Sequence, residues 1–300
     1  MTQALHALKE SLNTIIVGKS DVIDMALTGL LSGGHLLLED HPGTGKTLLS
    51  LALARLTGLD FKRIQCTNDL MPSDVLGTQV LDAGGQEFHL HRGPIFAQLV
   101  LVDEINRASP KTQSALLEAM AEGQVSIDGE TCALPQPFFL IATQNPDNHQ
   151  GTFELPEAQL DRFTLRLSLG YPAAEEEVQI LAGGDKRQQL SELNAVMSAD
   201  DVLQLQQEVR AMRPGDALCD YVQRLLQASR EHPQCQQGLS TRAGQALLRA
   251  ASAYSRVCGD ELVLPAHVQA VFVAVAAHRL VSYSHSGQEL ATQLLDQVAV

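Results

Sequence analysis

The chain has 300 residues, 45% of them hydrophobic, which is enough for a buried core and about two domains. Its 21 Lys and Arg residues against 35 Asp and Glu give a net charge of −14, which argues against non-specific binding to nucleic acid or to anionic membranes. The five cysteines form no Cys-x-x-Cys pair, the N-terminus lacks signal-peptide features and the apolar runs are too short to span a membrane, so we predict a reduced, soluble, cytoplasmic protein.

The first half of the chain alternates short apolar runs with helical patterns. The strand-like apolar runs cover residues 35–38, 99–102 and 138–142. Each is followed by polar or glycine residues, as buried parallel strands require. One helical pattern ends at Gly58, and another begins with Ser109 as N-cap and Pro110 as first residue and ends at Gly123. The alternation predicts a three-layer α/β domain with a parallel sheet.

Two segments interrupt this alternation and look inserted. Residues 78–81 and 87–90 flank the polar stretch Asp82-Ala83-Gly84-Gly85-Gln86, and residues 125–127 and 130–132 flank Asp128-Gly129. Both segments are typical of β-hairpins, and the second has the two-residue turn that favours positive φ. Neither hairpin is needed to close the central sheet.

The second half of the chain changes character from about Tyr171. It is rich in Gln, Ala and Leu, and its apolar residues recur at helical spacing, for example at Val202, Leu205 and Val209. We therefore predict an α/β nucleotide-binding domain over residues 1–170 and a small all-helical domain over residues 171–300.

A Gly-rich turn joins the first strand to the first helix in LLLEDHPGTGKT, residues 36–47. In a phosphate-binding loop, backbone N–H groups at a helix N-terminus surround the β-phosphate, a lysine meets the β- and γ-oxygens, and a hydroxyl binds Mg²⁺. Lys46 and Thr47 match the last two parts. The predicted nucleotide-binding positions in this loop are Pro42, Gly43, Thr44, Gly45, Lys46, Thr47 and Leu48. Asp40 stands where the motif has its first glycine, so the motif alone does not establish the site.

Polar side chains follow the next two predicted strands. Asp103 and Glu104 end the second strand, where one carboxylate can hold Mg²⁺ and the next can orient or deprotonate a water. Asn145 follows the third strand and offers an amide to the γ-phosphate or to the attacking water. This arrangement predicts ATP and Mg²⁺ as cofactors.

Two arginines lack a favourable local setting. Arg162 has Gln159 and Ala158 at the helical positions where an acid would pair with it, so an arginine finger in trans and an ordinary surface role are equally supported by the residues alone. Arg242 falls in the first turn of a helix capped by Ser240, where its charge opposes the helix dipole. Such a charge indicates an anionic partner.

Five sequence blocks occur in order: GHLLLEDHPGTGKT, LVLVDEINRASPKTQSALLEAMAEGQV, FFLIATQNP, GTFELPEAQLDRF and GLSTRA. In sequence and spacing they resemble the MoxR family of AAA+ ATPases, over residues 17–280. The resemblance implies a P-loop AAA+ core with a parallel sheet and inserted hairpins, plus a helical lid. A Glu-Asp pair before the loop occurs within that family, so Asp40 agrees with it. Gly259-Asp260 departs from the family, which has Gly-Arg before the penultimate helix.

The resemblance also implies a role for each candidate residue. Lys46 and Thr47 match Walker A, Asp103 and Glu104 Walker B, Asn145 sensor 1, Arg162 the arginine finger, Arg242 sensor 2, and Val17 and Gly18 the segment near the adenine. The first hairpin corresponds to the helix-2 insert and the second to the pre-sensor-1 hairpin, and both are expected to project towards the pore of a ring or towards a client. Whether Arg242 acts in cis or in trans stays open.

By resemblance the chain is a hexameric, chaperone-like remodelling ATPase that works with a von Willebrand factor A-domain partner to mature or metal-load a client complex. Arg162 of one protomer is then expected to complete the site of the next, so that hydrolysis requires assembly. Two alternatives remain: a small-molecule phosphotransferase that uses the same loop, and a nucleic-acid motor, which the acidic balance disfavours. A GTPase is poorly supported because the sequence has no Asn-Lys-x-Asp motif.

Overall fold

The computed structural model describes residues 2–81, 88–146, 151–182, 184 and 186–300. The predicted turn at residues 82–86 lies outside the described residues. The elements of the first part are α1 (Thr2–Ile15), α2 (Ser20–Leu31), β1 (Leu36–Glu39), α3 (Lys46–Thr57), β2 (Phe61–Gln65), α4 (Pro72–Leu76), β3 (Gly77–Leu81), β4 (Phe88–Arg92), β5 (Leu99–Asp103), α5 (Pro110–Glu122), β6 (Gln124–Ile127), β7 (Glu130–Ala133), β8 (Phe139–Gln144), α6 (Glu157–Leu160) and β9 (Leu165–Leu167). The second part contains α7 (Ala174–Ala182), α8 (Lys186–Glu192), α9 (Ala199–Ala211), α10 (Asp216–Glu231), β10 (Cys235–Gln237), α11 (Thr241–Cys258), α12 (Pro265–Ala276), β11 (Val281–Ser282) and α13 (Gly287–Gln297).

A five-stranded parallel sheet with the order β2-β5-β8-β1-β9 forms the centre of the first part. The three predicted strands are its middle strands β5, β8 and β1, and β5 is buried along its whole length. Side chains alternate between two hydrophobic clusters, with Leu36 and Leu38 on one face and Leu37 on the other. Because the strands are parallel, all their carboxyl ends lie at one edge of the sheet.

The local signals for helix ends and for the second hairpin turn are confirmed. Gly58 and Gly123 end α3 and α5 in the left-handed region, and the Ser109 hydroxyl accepts the backbone N–H of Thr112 at 3.4 Å at the start of α5. Strands β6 and β7 are joined by Asp128-Gly129, with φ values of 49° and 87°, as the two-residue hairpin turn requires.

The first predicted hairpin is also present. Strands β3 and β4 pair antiparallel, with Leu81 opposite Phe88. Phe88 is 66% exposed and Leu81 is 47% exposed, so this hairpin carries apolar side chains on its surface.

The second part departs from the prediction in one detail, because it is not entirely helical. Strands β10 and β11 form a short antiparallel pair in which Cys235 lies opposite Ser282. Strand β10 has three residues and β11 has two, and such short strands leave no period-two pattern in a sequence. Helix α2 packs against α9 and α11, and the Gln206 side-chain amide donates to the Leu30 carbonyl at 2.7 Å. The division at residues 170/171 stays a prediction.

Among the described residues, no helix combines the length and the apolar character needed to cross a membrane.

Candidate nucleotide site

The P-loop lies at the carboxyl edge of the sheet, between β1 and α3. Gly43 and Gly45 have φ values of 86° and 98°, which other residues rarely adopt, and a Cβ at Gly43 would meet no atom within 4 Å. The Nζ of Lys46 donates to the carbonyls of Asp40 at 2.5 Å and His41 at 2.8 Å. Burial lowers the pKa of Lys46, while the nearby carboxylates of Asp40, Asp103 and Glu104 oppose that shift. The loop is thus an open cradle of backbone N–H groups with a lysine held over it.

This cradle fits a nucleotide phosphate chain with Mg²⁺. Thr47 follows Lys46 at the start of α3, and the charge of Asp103 is felt at Lys46. A hydroxyl and a carboxylate are the hard oxygen ligands that Mg²⁺ prefers. Over the part of the chain that the structure describes, no group of three or more His, Cys, Asp or Glu side chains is placed to hold a metal. The cation would therefore take further ligands from phosphate and water oxygens.

Asp40 fastens the P-loop to the connection between β9 and the second part of the chain. Its buried carboxylate accepts the backbone N–H groups of Leu169 and Gly170, the latter at 3.2 Å, and the Ser168 hydroxyl at 3.1 Å. These donors compensate a carboxylate that is removed from water. The residue that departs from the phosphate-loop motif therefore has a structural task.

Asp103 and Glu104 lie next to the P-loop at the end of β5. The Thr143 hydroxyl on β8 donates to Asp103 Oδ1 at 3.1 Å and accepts the backbone N–H of Glu104 at 3.0 Å. Glu104 has a φ of 56°, an uncommon conformation that is typical of functional sites. The structure thus brings both predicted acids to the sheet edge that carries Lys46.

Three polar side chains that the sequence analysis missed contact these acids. Arg63 Nε on β2 donates to Asp103 Oδ2 at 2.6 Å. Glu104 Oε2 accepts from Arg107 Nη1 at 3.0 Å and from Gln65 Nε2 at 3.3 Å. Arg63 and Gln65 belong to an edge strand whose polar sequence, FKRIQ, carries no strand signal. Arg107 stands three residues after Glu104, and only that spacing hints at the contact.

Asn145 directly follows β8, the strand between β5 and β1. Its neighbour Gln144 pairs with Glu39 of β1 and accepts the backbone N–H of Asp40 at 3.2 Å. Asn145 also lines a cavity of about 290 Å³ together with Glu39 and Arg166. The predicted sensor is therefore beside the P-loop.

Val17 and Gly18 connect α1 to α2 and lie near the start of the second part. Gly18 has a φ of 73°, and a Cβ there would be 1.9 Å from the Glu176 carboxyl carbon. The next residue, Lys19, donates to the Tyr171 carbonyl at 2.8 Å, and the Tyr171 ring lies 6.2 Å from the His41 ring of the P-loop. These contacts bring the predicted adenine segment close to the P-loop.

Arg162 and Arg242 lie at the opposite edge of the sheet. Both line a cavity of about 160 Å³ beside His35, which precedes β1, and Thr164, which precedes β9. Strand β1 has four residues and alone separates the two edges by about 13 Å. Arg162 Nη1 donates to the Leu117 carbonyl at 3.1 Å. The structure therefore brings the two arginines together but keeps them apart from the P-loop of the same chain.

Arg242 has a weak acidic partner within the chain. Its Nε is 3.9 Å from Asp161 Oδ2, while Arg279 Nε binds Asp161 Oδ1 at 2.7 Å. The anion expected for Arg242 is therefore only partly supplied by Asp161, which Arg279 already neutralises.

Comparisons with known proteins identify the families that the two parts of the chain resemble. Residues 35–165 match the ATPase family associated with various cellular activities (AAA), and residues 227–298 match the AAA lid domain. The chain is 46% identical to the uncharacterised Bacillus subtilis protein YeaC, over 90% of this chain and 85% of that protein. It is 40% identical to Chaperone MoxR1 of Mycobacterium tuberculosis, over 97% of this chain and 80% of the relative.

Two further relatives extend the match. Protein MoxR of Paracoccus denitrificans is 31% identical over 95% of this chain and 92% of its own length. A crystal structure of a candidate ATPase from Cytophaga hutchinsonii superposes with a TM-score of 0.88 and 33% identity, over 99% of this chain and 95% of that one. Sequence identity and fold together show that the chain belongs to the MoxR family of AAA+ ATPases.

Proposed function

We propose that this chain hydrolyses ATP in a ring in which each active site combines the P-loop of one protomer with Arg162 and Arg242 of the next. The observation that carries this proposal is the separation of those arginines from the P-loop by the length of the sheet. An arginine side chain is too short to span it. A neighbouring protomer that docks this edge against the P-loop would supply both arginines in trans, so Arg242 acts in trans in this proposal.

In this mechanism the residues of the chain bind the phosphates, orient the attacking water and accept a proton from it. The loop N–H groups and Lys46 bind the phosphates, and Lys46 exchanges its carbonyl contacts for phosphate oxygens. Thr47 and Asp103 are the residues that would hold Mg²⁺, which when bound neutralises charge on the transferred phosphoryl group. Glu104 orients and deprotonates the attacking water after its carboxylate leaves Arg107. Asn145 positions that water.

The arginines of the neighbour act on the opposite side of the phosphate. In this proposal Arg162 stabilises the charge that develops on the transferred phosphoryl group, and Arg242 binds the phosphates beside it. Val17 and Gly18 contact the adenine of the nucleotide held by their own chain. We also propose that residues 1–170 form a nucleotide-binding domain and residues 171–300 a lid, with the nucleotide bound at the boundary between them.

The wider role that we propose is a chaperone-like remodelling factor in the cytoplasm. It acts as a hexamer and matures or metal-loads a client complex together with a von Willebrand factor A-domain partner. The name of the relative Chaperone MoxR1 supports the chaperone class. The exposed apolar side chains of Val80, Leu81 and Phe88 on the β3–β4 hairpin support contact with another protein.

The test is ATP hydrolysis per protomer over a wide range of protein concentration, for the wild type and for mixed variants. Arg162→Ala and Glu104→Gln damage opposite halves of a shared site, so a random mixture regains up to about a quarter of wild-type activity. A mixture of Lys46→Ala and Glu104→Gln is the matched control and regains none, because both changes damage the same half. Activity that is independent of protein concentration, with a harmless Arg162→Ala, would instead indicate a self-contained phosphotransferase.

A further inference from the structure

A third arginine lines the cavity that holds Arg162 and Arg242. Arg249 lies on α11, seven residues after Arg242 and therefore on the same face of the helix. The facing wall includes the Gly33-Gly34 backbone, which adds no side chain to the cavity. The cavity thus presents three guanidinium groups around a small space.

The charges around this cavity are not balanced within the chain. None of the residues that line it is an acid. Among the described residues, Arg249 has no salt bridge or hydrogen bond, and Arg162 contacts only the neutral Leu117 carbonyl. The nearby Asp161 is shared between Arg242 and Arg279. Three arginines therefore meet with at most part of one carboxylate to offset them.

The electrostatic environment of Arg249 is unfavourable in the isolated chain. Burial lowers the pKa of Arg249, and the positive charges of Arg210 and Arg242 lower it further. The guanidinium of Arg210 lies outside the cavity, with its Nη2 3.1 Å from the position a Cβ would take at Gly33. Arg242 and Arg249 are exposed, so water and salt screen part of this repulsion, and an anion that binds between the guanidinium groups would remove the rest.

We propose that Arg249 is a third phosphate-binding arginine, which contacts the triphosphate held by the P-loop of the neighbouring protomer together with Arg162 and Arg242. This inference rests on the proposed shared site. A triphosphate suits the cavity better than a single carboxylate, because several adjacent anionic oxygens can each accept a guanidinium N–H. With Arg242 and Arg249, helix α11 would contact the nucleotide of the neighbouring protomer at two positions that are two helical turns apart.

The first experiment compares ATP hydrolysis by Arg249→Ala, Arg249→Lys and Arg210→Ala at saturating protein concentration. We expect kcat/KM to fall about tenfold to a hundredfold in Arg249→Ala, the range for a lost charge-assisted contact. Arg249→Lys keeps the charge without the planar fork and should fall between Arg249→Ala and the wild type. Arg210→Ala should stay near the wild type. Equal losses in Arg210→Ala and Arg249→Ala would overturn direct contact in favour of a general positive field.

The second experiment mixes Arg249→Ala with Glu104→Gln, whose protomers supply an intact Arg249. Recovery to about a quarter of wild-type activity is the result expected if Arg249 acts in trans, whereas no recovery refutes it. Sedimentation measures assembly. If Arg249→Ala only shifts assembly to higher protein concentration and regains full activity there, Arg249 pairs with a protein carboxylate and the proposal fails. Recovery with Arg162→Ala but not with Arg249→Ala would refute this inference and leave the proposed function intact.

Discussion

Replacing Asp40 with glycine restores the usual first residue of the phosphate-binding motif, yet we expect it to damage this protein. The Asp40 carboxylate accepts hydrogen bonds from Leu169, Gly170 and Ser168, which lead from the last strand of the sheet into the second part of the chain. A glycine removes all of them. The P-loop then loses these hydrogen bonds to the segment that follows β9 and keeps only the stacking of His41 on Tyr171 among the contacts described above.

The structure sets the size of this effect. Hydrogen bonds to a charged group contribute about 1.5–3 kcal/mol, and a buried donor left unpaired costs about 1–3 kcal/mol. The backbone N–H of buried Leu169 loses its acceptor, whereas the hydroxyl of exposed Ser168 can form a hydrogen bond with water instead. Because such contributions are not additive, we expect Asp40→Gly to lower the free energy of unfolding by about 3–5 kcal/mol. Asp40→Asn keeps one acceptor oxygen and should lose about 1–2 kcal/mol.

Urea unfolding measures the loss of stability in each variant, and a double-mutant cycle tests whether the loss comes from the contact between Asp40 and Ser168. Ser168→Ala removes one donor to Asp40 and should lower stability by about 1 kcal/mol in the wild type. In the Asp40→Gly background the same change should have no effect, because its acceptor is gone. A fully stable Asp40→Gly protein, or a Ser168→Ala effect that is equal in both backgrounds, would refute the assigned contact.

Two other predictions concern buried polar groups. Thr143→Val removes the hydroxyl shared by Asp103 and Glu104, so kcat should fall about tenfold to a hundredfold, and near wild-type turnover in a steady-state assay would contradict this role. Burial lowers the pKa of His35 from its ordinary value of 6.5 to about 4, although its contact with the Met120 carbonyl opposes the shift. As the pH falls, His35 therefore takes up a proton in the unfolded chain before it does so in the folded chain. The contribution of neutral His35 to the stability of the fold is fully present above pH 6.5 and is lost as the pH falls towards 4. We expect the free energy of unfolding, measured with urea, to fall between about pH 7.5 and pH 5 by about 2 kcal/mol less in His35→Gln than in the wild type. An equal fall in both proteins would refute this assignment.

The middle of the sheet could be predicted from the sequence, but its edges could not. Strands β1, β5 and β8 are buried on both faces and therefore read as continuous apolar runs. Edge strand β2 has one buried residue in FKRIQ, and edge strand β9 has only three residues with Arg166 at its centre. An edge strand packs on fewer neighbours, so its pattern is weaker.

The same limit applies to the candidate site. Lys46, Thr47, Asp103 and Glu104 belong to continuous motifs whose chemistry depends on their spacing, and the structure places them at one edge. Gln65 reaches Glu104 across 39 positions of sequence. No local pattern marks it, because the contact is created by the pairing of β2 with β5.

The arginine cluster could be predicted from the sequence only in part. The absence of an acid at the helical positions before Arg162 correctly indicates that it lacks a local ion pair, and its nearest acid in sequence, Asp161, instead binds Arg279. The unfavourable position of Arg242 predicts a need for negative charge, and this stays a prediction because Asp161 supplies it only in part. Arg249 carries no such local sign, because it joins the cluster only when α11 packs against α2 and faces the Gly33-Gly34 turn. In the ring that we propose, charge that is unbalanced in one protomer would become favourable, and this cluster of charge forms only when the chain has folded.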